Sequence, residues 1–102
     1  MNKKKDVFIN TDYNFRDFAT FINFPDHVIR DYLKLENTSF TDIKNEIRVS
    51  RAKKILEETK LKYNLSYISK QSGFNSKSNF YSIFKKYEKC TPREYLYKKK
   101  LI

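Results

Sequence analysis

The sequence predicts an all-α protein of about seven helices: a short helix, tight turn and longer helix, performed twice around one long central helix. Three observations predict it. One Gly and two Pro occur in 102 residues, too few for the turns of an all-β sandwich. Nine Phe and eight Tyr supply enough large side chains to bury a core, which argues against disorder. Apolar residues recur at three- and four-residue steps, and no stretch alternates as a strand would.

Taken in order, residues 1–13 carry little periodicity and read as a lead or a short first helix. Residues 14–38 make the first unit. Phe15, Phe18, Ala19 and Ile22 sit at helical spacing, and Asn23-Phe24-Pro25 interrupts them. Pro25 suits the first turn of the next helix, which carries Val28, Ile29, Tyr32 and Leu33 on one face. Asn37 offers a left-handed stop. Residues 39–59 make the linking helix. Ser39-Phe40-Thr41-Asp42 reads as its N-cap. One long stripe of Phe40, Ile43, Ile47, Ala52, Ile55 and Leu56 then follows. At ~1.5 Å per residue, about 19 residues make a rod of roughly 28 Å.

Residues 60–102 make the second unit. After a polar link, the segment 66–72 presents Leu65 and Ile68 for burial. Gly73-Phe74 and an Asn75/Ser76 cap lead into a helix over 77–87. Its Phe80, Ile83, Phe84 and Tyr87 form the cleanest amphipathic pattern in the chain. Thr91-Pro92-Arg93-Glu94 is a capping box with Pro at the first helical position, opening a last helix over Tyr95 and Leu96.

Charge divides the chain. The net charge is +10, yet residues 1–43 carry six basic and seven acidic side chains, a net of −1, and residues 44–102 carry 16 and five, a net of +11. Nucleic acid, an anionic membrane and an acidic protein are the usual partners of such a basic half. A single Cys, Cys90, excludes a disulfide framework and reads as a small buried residue. With one His besides, metal and triad chemistry lack their parts, and no glycine-rich phosphate loop occurs, so the chain reads as no enzyme, with no cofactor. No apolar run approaches the ~20 residues that span a bilayer. Residues 1–6 lack the apolar stretch of a signal peptide. The expected compartment is the cytoplasm.

A short helix, a glycine-containing turn and a helix with one polar face outline a helix-turn-helix. Gly73 lies where that turn bends, and Phe74 would anchor it. The next helix then displays Lys77, Ser78, Asn79, Tyr81, Ser82, Lys85 and Lys86, without one acid. Asn can bond an adenine edge, Lys a guanine edge, and Tyr or Ser either bases or phosphates. An ordinary polar outer face of a bundle helix is the plain alternative.

Three stretches, Gly73-Phe74-Asn75-Ser76-Lys77-Ser78-Asn79-Phe80, Phe84-Lys85-Lys86-Tyr87 and Thr91-Pro92-Arg93-Glu94-Tyr95, resemble the DNA-binding domain of AraC/XylS-type transcription regulators. Upstream, Ser39-Phe40, Asn45, Arg48-Val49, Ala52 and Ile55-Leu56 are similar to that family's linking helix, and Phe18-Ala19, Ile29 and Tyr32-Leu33-Lys34 to its first unit. The resemblance implies two helix-turn-helix units on one rigid helix, binding as a monomer to two successive major grooves of double-stranded DNA. By family position, Lys77, Ser78, Asn79, Tyr81 and Ser82 reach base edges, and Lys85 and Lys86 hold phosphates. Thr91 stands at a helix N-terminus that could receive another phosphate. Arg48 matches a linking-helix position that is either structural or phosphate-facing.

The first unit departs from the pattern. Its second helix carries Asp26 and Asp31 where base-reading side chains are expected. His27 and Arg30 are its candidate contacts, with Asp31 a local partner for Arg30. Asn37 and Lys89 stand where the family usually has glycine. The expectation is therefore a regulator, with activation and a polymerase contact as candidate modes, that grips DNA mainly through its C-terminal half. A degenerate module serving as a protein-interaction adaptor is the alternative. Either a free-standing short regulator or a domain of a longer chain fits the length.

Overall fold

A computed structural model describes residues 7–62 and 64–102. The basic run Lys3-Lys4-Lys5 lies outside the described residues. The described chain holds one 3₁₀ turn, Val7–Ile9, within the expected lead, and six α-helices: α1 Phe15–Ile22, α2 Asp26–Leu35, α3 Phe40–Thr59, α4 Leu65–Gln71, α5 Lys77–Glu88 and α6 Pro92–Lys98. The molecule measures 46 × 25 × 23 Å. Among the described residues no helix is long and apolar enough to cross a membrane.

Short polar side chains start nearly every helix. Asn14, Ser39, Asn64, Ser76 and Thr91 each accept a hydrogen bond from the backbone N–H three residues on, satisfying a donor that has no partner within the helix. In α1 and α6 the third residue, Asp17 or Glu94, closes a full capping box. Pro25 stands just outside α2, at its N-cap. The stops are mostly left-handed and mostly not glycine. Asn23, Asn37, Lys60, Leu61 and Lys89 have φ between 51° and 68°.

Two cores lie along the rod. The first gathers Phe8, Ala19, Ile29, Leu33 and Phe40, with Phe15, Phe18, Ile43 and Ile47 packed against it. The second gathers Val49, Ala52, Leu56, Ile68, Phe74, Phe80, Phe84, Cys90, Tyr95 and Leu96. At roughly 100° per residue, Phe40, Ile43 and Ile47 point to one side of α3, and Val49, Ala52 and Leu56 to the other. The single stripe expected along α3 is thus two stripes on opposite faces, because one rod serves two separate cores. The expected face of α2 is likewise split. Ile29 and Leu33 are buried, whereas Val28 and Tyr32 are exposed.

Candidate nucleic-acid interface

The polar face of α5 stands clear of the second core. Phe80 and Phe84 are fully buried, and Ile83 and Tyr87 are partly covered. That anchoring turns Ser78, Ser82 and Lys85 outward, flanked by Tyr81 on one side and Asn79 and Lys86 on the other, an arc of roughly 160° at about 100° per residue. Lys77, Ser78, Asn79, Ser82, Lys85 and Lys86 are exposed, and Tyr81 is half-buried with its ring edge-on to Phe80. Four of the five expected base-reading residues and the two expected phosphate-binding lysines therefore share one surface, and exposed Lys77 lies about 100° round from Ser78, beyond that arc at the start of the helix.

The turn before α5 is held from both sides. Ser72 donates its hydroxyl to the Ile68 carbonyl at 2.8 Å, and the Phe74 N–H reaches the Ser69 carbonyl at 3.0 Å. Gly73, at φ 95°, supplies the left-handed bend between them. Ser76 then caps α5 through the Asn79 N–H at 3.0 Å.

Acids near this face are committed elsewhere. Glu88 pairs with Lys53 at 2.6 Å, and Glu57 accepts the Tyr95 hydroxyl. Burial, then the Glu57 carboxylate, pushes the Tyr95 phenol well above its ordinary range. Glu94 accepts the Thr91 N–H at 2.8 Å, and this bond lowers its carboxyl below the ordinary value. Lys85 lies within the field of Glu94 and helps lower that carboxyl, so the positive charge of the α5 face is partly offset there and is carried by its exposed lysines, the groups that attract a polyanion.

Two candidate phosphate contacts, Arg48 and Thr91, are engaged within the chain. Arg48 is buried, 6% exposed, and donates Nε to the Phe8 carbonyl at 2.6 Å and a terminal nitrogen to the Asn10 carbonyl at 2.9 Å. Its role is structural. Thr91 spends its N–H on Glu94 and receives the Glu94 N–H on its hydroxyl oxygen at 3.1 Å. The positive end of α6 already faces a carboxylate, so no open anion seat remains there.

The first unit is built differently. His27 and Arg30 are exposed, but the Arg30 guanidinium lies 4.0 Å over the Phe15 ring and not against Asp31. Beside them, Val28, Tyr32 and Leu35 are 42%, 61% and 85% exposed and follow one another at helical spacing. Sequence reasoning missed this apolar strip by assigning Val28 and Tyr32 to the core. Its signal was the crowding of five apolar residues onto a ten-residue helix that buries two. Reasoning from spacing also missed the burial of Arg48, which no local pattern announces.

Comparison with known proteins agrees with this fold. The family described as Helix-turn-helix domain matches residues 25–98. The DNA-binding dual transcriptional regulator Rns of Escherichia coli is 36% identical over 77 residues, covering 76% of this chain and 28% of Rns. The structure of ToxT from Vibrio cholerae superposes with a TM-score of 0.75 at 25% identity, over 87% of this chain and 33% of ToxT. That of a DNA-binding transcriptional dual regulator from Escherichia coli K-12 shares the fold, with a TM-score of 0.79 at 21% identity over 94% of this chain and 85% of its own. The chain thus spans less than a third of the length of Rns. It belongs to the AraC/XylS-type helix-turn-helix family, whose members are transcription regulators and not enzymes.

Proposed function

We propose that this chain is a sequence-specific regulator of transcription that binds double-stranded DNA and grips it mainly through its second unit. The observation that carries the reading is the outer face of α5: exposed lysines, serines and an amide, with no acid, on a half carrying +11. Such a face matches the donors and acceptors of the major groove, where an α-helix fits. Lys77, Ser78, Asn79, Tyr81 and Ser82 read base edges, and Lys85 and Lys86 hold the phosphates. The 20 residues of α3 make a rod of about 30 Å, near the ~34 Å helical repeat, which suits a monomer addressing two successive grooves. The net-acidic first unit then contributes the weaker contact, through His27 and Arg30. The DNA-bound chain works in the cytoplasm, with RNA polymerase as the candidate second partner.

The test is a binding titration on a panel of duplexes at two salt concentrations. Lys77→Ala with Tyr81→Ala is expected to erase discrimination between sites. Unchanged discrimination would refute the base-reading assignment.

A second reading, an adaptor module that binds a protein, is favoured by one observation, the exposed Val28, Tyr32 and Leu35 on an acidic unit. An exposed apolar strip of this kind is common at protein contacts. A partner captured through this strip after nuclease treatment, with no retention on DNA resin, would favour it over the first.

A further inference from the structure

The 3₁₀ turn at Val7–Ile9 touches three parts of the molecule at once. Its Phe8 side chain is 5% exposed in the first core, with ring centroids 5.1 Å from Tyr13 and 6.0 Å from Phe40. The Phe8 and Asn10 carbonyls are held by the two arms of Arg48, halfway along α3. The backbone of the same turn lies against Gly73, in the bend of the second unit. A Cβ at Gly73 would stand 2.7 Å from the Phe8 and Ile9 carbonyl oxygens and 2.8 Å from Ile9 Cα. Real Cβ atoms do not approach that closely, so Gly73 is required twice, for its bend and for this contact.

We propose that Phe8–Asn10 is a brace that fixes the second unit against the first, with Arg48 and Gly73 as its positioning residues. The physical need is plain. The two cores lie on opposite faces of α3, and a single helix would be the only covalent path between them. A segment rooted in the first core and lying on the turn that aims α5 removes the remaining freedom. Arg48 suits the task because its planar fork spans two carbonyls, which the point charge of a Lys cannot do. The Gly73 bend before α5 is thereby coupled to the chain ahead of residue 14. The consequence for DNA rests on the reading of α5 given above, since pre-set helices lose less freedom on binding.

The experiment places spin labels at Leu35→Cys and Tyr97→Cys, both exposed, in a Cys90→Ala background, and measures the distance distribution between them. The braced chain is expected to give one narrow distribution. Arg48→Met and Gly73→Ala, which attack the brace from opposite ends, should each broaden it about twofold. Arg48→Lys should lie between. An equally narrow distribution in folded Arg48→Met would overturn the brace. Should both variants fail to fold, proton NMR of the unaltered chain decides: a cross-peak between Gly73 Hα and Ile9 Hα is expected, and its absence overturns the proposal. On DNA, Arg48→Met should bind roughly tenfold more weakly to every duplex with discrimination intact. Failure of the Lys77/Tyr81 test would remove the DNA reading and leave the brace, and a narrow Arg48→Met distribution would do the reverse.

Discussion

Arg48 and Glu94 are both charged residues spent on backbone groups of their own chain, Arg48 in the interior and Glu94 at the exposed start of α6. Each finds backbone groups without partners, and a charged side chain that satisfies them is worth more there than left unpaired. For Glu94 this has a pH signature. The Thr91 N–H favours the ionised carboxylate, so its pKa falls below the ordinary 4.5. A lowered carboxylate pKa contributes stability that is complete above the ordinary value and vanishes as pH falls through the lowered one. Glu94→Gln should therefore melt earlier than the parent at neutral pH, with the gap closing below about pH 4.5. Thermal unfolding followed by circular dichroism across pH 3 to 7, about the range where carboxylates titrate, checks this. A gap independent of pH would contradict it. At this scale the sequence was informative about Glu94, whose capping box is a local motif. It was silent about Arg48, whose acceptors lie about 40 residues away.

Helix starts were legible because capping is local, and the starts at Ser39, Ser76 and Thr91 fall where the sequence predicts them. Helix stops were legible too, at Asn37 as a left-handed residue, at Thr59 from the end of the linking helix, and at Lys89 from the glycine the family usually has there, although lysine itself carries no signal for left-handed backbone. That strain is recoverable. Lys89→Gly should stabilise the chain by up to about 1 kcal/mol, the left-handed cost relieved less the entropy that glycine brings. A higher urea midpoint with unchanged slope would establish it, and a lower midpoint would refute it. The two faces of α3 were also present in the spacing. Phe40, Ile43 and Ile47 follow one helical phase, Val49, Ala52 and Leu56 another, and the step of two residues from Ile47 to Val49 marks the change. Reading Phe40, Ile43, Ile47, Ala52 and Leu56 as one stripe, with Val49 left out of it, hid the fact that the rod carries two cores.

On the scale of the whole molecule, the division of charge was plain in the sequence, while the use of each half needed the structure. Three of the five acids of the basic half are held by Lys53, Tyr95 and the α6 cap, and residues 77–86 of α5 carry none. Across the other half, α2 exposes apolar side chains beside Asp31, a poor surface for phosphate. Salt dependence follows from this asymmetry. Lys85→Ala with Lys86→Ala should weaken binding evenly across sequences and reduce the slope of log affinity against log salt by about 2. An unchanged slope would mean these lysines do not meet phosphate. The claim that the second unit does the reading is tested most directly by setting two double variants side by side on one duplex panel. Lys77→Ala with Tyr81→Ala should abolish discrimination, and His27→Ala with Arg30→Ala should keep it while lowering affinity modestly. Discrimination lost with the first-unit pair and kept with the α5 pair would contradict the account.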